Sequence, residues 1–199
     1  MGRKRKELSS KHRTTAESEG LNRDHSRPLR AFAHRYGTVL RAWVLFIATI
    51  GALHAILAWS DTRIWKYATN GTARVTAWTL SLLGTAARAQ GETVSSSLYA
   101  VDIIRECTAV NPIILFTAAV VAYPCRKRSK ILGVSLGVAL ILLTNVVRLV
   151  SLVYIGQSYP GAFETAHMLV WQSLIIFVTV FLWVLWALTI GGDHELRPS

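Results

Sequence analysis

Four stretches in which nearly every position is apolar punctuate the chain: Ala42 to Trp59, Ile113 to Tyr123, Ile131 to Ile155 and Met168 to Ile190. A helix needs about 20 mostly apolar residues to cross a hydrocarbon core about 30 Å thick. The first, third and fourth stretches meet that length unaided. The second lies between Pro112 and Pro124 and is shorter; with Cys107 to Asn111 added, it crosses if its end dips into the interface or the bilayer thins locally. Between the first and second stretches the pattern changes. In "VTAWTLSLLGTAARA" (75 to 89) Val75, Trp78, Leu82 and Leu83 recur at helical spacing between Arg74 and Arg88, which predicts an amphipathic helix lying on the membrane surface or capping the bundle. "ETVSSSLYAVDII" (92 to 104) is richer in β-branched and small polar residues and predicts a short extended piece or hairpin. The expected fold is all-α: a multi-pass transmembrane bundle of about four spans, with an outer amphipathic helix. Its parts are a disordered tail over 1–36, a membrane domain over 37–192 and a short tail over 193–199.

Composition sharpens the membrane reading. The chain is 52% hydrophobic and 17% charged, yet carries a formal net charge of +11, a combination that soluble globular domains seldom show. Residues 1 to 41 hold eleven of the 22 Lys and Arg against four acids, and "RKRSK" (126 to 130) adds four basic residues with no acid. Basic residues beside span ends favour the cytoplasm, so the tail and the "RKRSK" turn are both expected inside, with two spans between them. Both termini are then cytoplasmic, residues 60 to 111 and the loop "GQSYPGAFETAH" lie outside, and the protein is expected in the inner (cytoplasmic) membrane. A long polar stretch precedes the first apolar one, unlike a cleavable signal peptide. The basic tail is expected to set topology and attract anionic lipid; nucleic acid is not an expected partner. Cys107 and Cys125 sit at opposite ends of one apolar segment and cannot pair across a bilayer.

Position along each helix then becomes a statement about depth. Arg148 follows Lys130 by eighteen residues, about 27 Å of helical rise, which brings it to the outer boundary. Cys107, ahead of the second stretch, and His167, ahead of the fourth, fall on the same side. Each has a bland reading: a snorkelling arginine, a small buried thiol, a polar residue at a helix start. Together they suggest a site, because an arginine within a span usually faces protein or a polar cavity. Asn145 shares its helical face at i−3. These groups suit acyl transfer: Cys107 as nucleophile, with a thiolate favoured by a helix start at Asn111 (N-cap) and Pro112, His167 as general acid or base, and Arg148 holding the negative oxygen of a tetrahedral intermediate. Asn145 and Glu164 are assigned orienting or substrate-contacting roles. Other readings are a metal site on Glu164 and His167, which lacks further copies of the motif, and a non-enzymatic small transporter or assembly factor with Arg148 and Asn145 lining a polar path. His54 is expected to be paired within the bundle, and Gly133 with Gly137 to mark close helix packing. No metal or other cofactor is expected.

"ECTAVNPIILFTAAVVAYP", "NVVRLVSLVYIG" and "YPGAFETAHMLVWQ" resemble the exosortase and archaeosortase family of membrane sorting enzymes over roughly residues 100 to 186. The family's cysteine, arginine and histidine fall on Cys107, Arg148 and His167. The resemblance implies a cysteine transpeptidase on a helical fold that cleaves C-terminal sorting tails of exported proteins through a thioacyl enzyme, at the extracytoplasmic face. It implies transfer to an acceptor such as a lipid-linked amine. The low span count resembles the compact form called exosortase H.

Overall fold

The computed structural model describes residues 36–59, 62–97 and 99–191. The tails expected over 1–36 and 193–199 lie outside the described residues, Tyr36 excepted. Internal contacts divide the chain into residues 1–44 and 45–199. Of the first unit, the described part is the start of helix α1 (Tyr36–Trp59).

Among the described residues, three helices are long and apolar enough to cross a membrane: α1, α4 (Lys127–Ser158) and α5 (Pro160–Thr189), of 24, 32 and 30 residues. The segment expected as a further span is α3 (Val110–Ala122), apolar but only 13 residues long, about 20 Å of rise. It stops at Tyr123, whose extended backbone (ψ 130°) is the conformation a residue before proline prefers. His54 corrects an expectation: it is exposed on α1.

Helix α2 (Thr62–Leu82) begins thirteen residues before the amphipathic helix expected from Val75. Its packed face is Thr69, Ala73, Thr76, Ala77 and Leu80, whereas Val75, Trp78, Leu82 and Leu83 all point outward, Trp78 being 65% exposed. The hydropathy pattern marked the outward face, because the inward one is built of small residues with a weak signal. The helix ends with Thr85 N–H donating to Leu80 C=O and Gly84 N–H to Ser81 C=O, Gly84 taking φ +85°. This is the glycine-dependent helix stop that satisfies the last carbonyls.

The all-α expectation needs one correction. Strands β1 (Ala87–Gln90), β2 (Thr93–Ser96) and β3 (Ala100–Asp102) form an antiparallel meander in the order β1-β2-β3. The extended piece expected over 92 to 104 is β2 with β3; β1 lies where the helix was expected to continue. Gln90 pairs with Thr93 across a two-residue turn, and Gly91 supplies the positive φ, +62°, that such turns need.

Two cores result. One joins α2, the meander and the far part of α4 through Ala73, Leu80, Val94, Ile103, Leu149 and Val153, and Cys107 belongs to it. The other joins α3, α4 and α5 through Phe116, Val120, Ile141, Ile175 and Trp186. Gly133 and Gly137 lie in it, as their spacing predicted: a Cβ at Gly133 would collide with the Trp186 ring and one at Gly137 with Phe116.

Candidate active site

After β3 the chain makes a single 3-10 turn, Arg105–Cys107, held by Cys107 N–H to Ile104 C=O (2.9 Å) and by the Thr108 hydroxyl to Arg105 C=O (2.6 Å). Arg105 lies over the Trp65 ring of α2, 5.1 Å from its centroid, which fastens the turn from outside. Ala109 then takes a left-handed conformation (φ 56°) although it has a side chain and is buried. That backbone costs on the order of 1–3 kcal/mol and persists only where surroundings enforce it. It reverses the chain sharply between Cys107 and α3. The helix start expected at Asn111 is thereby corrected: Ala109 caps α3, Val110 is its first residue, and Pro112 sits third. Proline is harmless there, since amides of the first turn have no intrahelical partner.

The structure brings together four of the five residues singled out from sequence. Cys107 Sγ lies 3.6 Å from His167 Nε2, across sixty residues of chain. Asn145 Nδ2 donates to the Cys107 carbonyl at 2.7 Å, and Arg148 Nη1 to the Glu106 carbonyl at 3.5 Å. Asn145 and Arg148 thus grip the backbone on either side of the nucleophile candidate from one face of α4. Arg148 is 1% exposed, and among the described residues its Nε and Nη2, like Asn145 Oδ1, have no hydrogen-bond partner. Buried donors are nearly always satisfied, so this guanidinium stands ready for an acceptor. Glu164 is the outlier: it is exposed and, among the described residues, makes no hydrogen bond to His167.

The thiol is 3% exposed, and burial pushes its pKa up; Arg148 and the hydrogen bond from Ile104 act the other way without reversing the direction. The expected lowering by a helix start is therefore overridden by desolvation. A thiol so buried needs a base in contact to give up its proton, and the imidazole is in contact.

His167 sits in a π-helical stretch, Ala166–Trp171, that interrupts α5 before the regular segment Gln172–Trp186. Such widened turns are rare and often mark functional positions. Three residues that sequence reasoning missed fix the ring. Phe163 stacks on His167 (centroids 5.9 Å apart, planes 23°), and Tyr99 packs on Phe163 (5.8 Å, 55°). Tyr99 in turn fills the space a side chain on Gly156 would need, and Gln157 Nε2 donates to Ser96 Oγ at 2.6 Å. The Phe163 to His167 spacing of four was visible as an i,i+4 pair; nothing local marks Tyr99 or Gly156.

Among the described residues, no three His, Cys, Asp or Glu side chains gather as metal ligands would. No curated protein and no solved structure matches the chain. A family model does, the transmembrane exosortase (Exosortase_EpsH), over residues 36–186. That range takes in α1, α2, the meander, α3, α4 and nearly all of α5, with every residue of the site just described, and the chain accordingly belongs to the transmembrane exosortase family.

Proposed function

We propose that this protein is a membrane-embedded cysteine transpeptidase of the sorting type, with Cys107 as nucleophile, His167 as general base and then acid, and Arg148 as the charge that holds the oxyanion. The observation that carries the reading is the 3.6 Å approach of Cys107 Sγ to His167 Nε2 beside a buried guanidinium with free donors. His167 takes the thiol proton as sulfur attacks the carbonyl carbon of the scissile bond, and Arg148 donates to the resulting oxyanion. Collapse breaks the C–N bond, the imidazolium protonates the departing amine, and a thioacyl Cys107 remains. An amine acceptor, for example a lipid-linked one, then attacks the thioester and restores the thiol; water in its place gives hydrolysis. Asn145 orients the Cys107 carbonyl.

The substrates in this reading are C-terminal sorting tails of exported proteins. The catalytic groups face the extracytoplasmic side of the inner membrane, both termini lie in the cytoplasm, and α3 completes a fourth, short crossing supported by its apolar composition. Nothing in the geometry favours a transporter or assembly factor, which would have no use for the thiol and imidazole contact.

Cys107→Ala is expected to abolish release of a tail-bearing protein in cells while the enzyme still inserts in the membrane, so that uncut precursor accumulates. Processing at the wild-type rate in that variant ends the reading. Orientation is tested with an impermeant thiol reagent on Ser97→Cys, exposed beside the meander, which should label from the extracytoplasmic side of a chain whose own cysteines are replaced by Ala.

A further inference from the structure

Beside the candidate catalytic groups, between the start of α3 and α5, lies a cavity of about 210 Å³. Its deep wall is Arg148, Ile175 and Thr179, each 1% exposed. Val110, Pro112 and Leu115 line it from α3. The rim is formed by Arg105, Glu106, Asn111, Gln172 and Ile176, all exposed, so the space opens outward there. A dry cavity of about 150 Å³ already holds a benzene ring, so this one accommodates a large side chain. The Thr179 hydroxyl is satisfied by the Ile175 carbonyl at 2.7 Å. The unmet demand at the closed end is therefore the Nε and Nη2 of Arg148, which an occupant relieves by bringing an acceptor.

Direction matters as much as volume. Leu115 stands eight residues beyond Cys107 on α3, and Thr179 twelve beyond His167 on α5. The lining thus extends from Glu106, the neighbour of Cys107, past Arg148 to Leu115 of α3 and Thr179 of α5, into the apolar helices, the side from which a membrane-anchored tail reaches the bond to be cut.

We propose that this cavity is the subsite for the segment on the membrane-helix side of the scissile bond, taking one bulky apolar side chain and the peptide carbonyl beside it. The proposal rests on the peptidase reading above. A peptide suits the site better than a lipid acyl chain, which offers no acceptor to the guanidinium at the closed end. Leu115 and Ile176 set the size accepted, and Arg148 serves both the reacting oxygen and the neighbouring carbonyl through different N–H groups.

The test uses the full chain in detergent micelles, alkylated with iodoacetamide or its N-benzyl derivative. The extent of Cys107 modification is divided by that of Cys125 in the same molecules, which cancels partitioning of reagent into the micelle. Seating of the ring should raise this ratio for the N-benzyl reagent at least about tenfold over iodoacetamide. In Leu115→Trp and, separately, Ile176→Trp the preference should fall to about one; Ile176 is 47% exposed, so its replacement folds even where that of Leu115 does not. Absence of a preference in the wild type, or its survival in Ile176→Trp, overturns the assignment. Excess dihexanoyl phosphatidylethanolamine should leave the preference in place, and its loss would give the cavity to a lipid chain instead. Alkylation needs no turnover, so failure here leaves the peptidase reading standing; that reading falls only with Cys107→Ala.

Discussion

The two ends of α4 look alike as hydropathy and do opposite things. Toward Lys127, Gly133 and Gly137 let Trp186 and Phe116 close on the backbone, Tyr123 meets the edges of Trp183 and Trp186, and the Trp186 indole donates to the Ser129 carbonyl at 3.3 Å. That end is closed by ring packing, with the Trp183 indole nitrogen buried and without a partner among the described residues. Toward Ser158 the same helix packs on α2 and the meander, carries Asn145 and Arg148 fully buried, and leaves three of their polar atoms without partners among the described residues. Unmet buried donors are costly, and proteins keep them where a ligand completes them. The difference separates the part of the bundle that closes on itself from the part proposed to act.

Substitutions at the two ends should therefore fail in different ways. Arg148→Gln is expected to lower the tail-processing rate by about 10²- to 10³-fold, the loss typical for an oxyanion donor. Its thermal midpoint should not drop, because the charge removed was buried without a counterion; a variant that simply unfolds would erase the distinction between the ends. Gly137→Leu should do the reverse, costing about 1–3 kcal/mol or more by overpacking against Phe116. Thermal melting in detergent would show it, with activity lost only in proportion to folded protein.

Smaller effects test how the meander serves the site. Phe163→Ala removes the stacked ring from His167, an interaction of about 0.5–1.5 kcal/mol. A roughly tenfold fall in kcat, with KM little changed and partial recovery in Phe163→Tyr, is expected from processing kinetics. Gly156→Ala, which displaces Tyr99, should weaken the same step through the meander; full activity there would break the link between the sheet and the imidazole.

The pH dependence carries a definite sign. Burial raises the Cys107 pKa and the Arg148 charge opposes that rise, so the rate of Cys107 alkylation should climb with pH through a midpoint above the ordinary thiol range. Arg148→Gln removes an opposing cause and should move the midpoint higher still. A midpoint below the ordinary range would mean that the site stabilises a resting thiolate. The smallest effect belongs to Ala109→Gly, which relieves the left-handed backbone but loosens the unfolded chain, so that the net gain in stability should be about 1 kcal/mol.

The long apolar runs of α1, α4 and α5 were legible because a helix facing lipid needs an unbroken hydrophobic stretch, whatever it packs against. Cys107, Arg148, Asn145 and His167 were legible too, since polar groups in such runs stand out and the positive-inside pattern puts them at one level. Less was legible in α2, whose inward Ala73, Thr76 and Ala77 carry little hydropathic contrast, so the amphipathic pattern marked the outward face and left the packed one unread. Strand β1 was hidden in "ARAQ", which has no strand propensity of its own and is extended because β2 pairs with it.

The sequence by itself determined which segments are apolar enough to span and which reactive side chains share one end of the bundle, because both follow from local composition and helical rise. Tertiary structure alone decided that the thiol is buried, that Tyr99 and Phe163 hold the imidazole, and that a cavity opens beside Arg148. These are properties of contact and desolvation between residues far apart in the chain, and no local pattern encodes them.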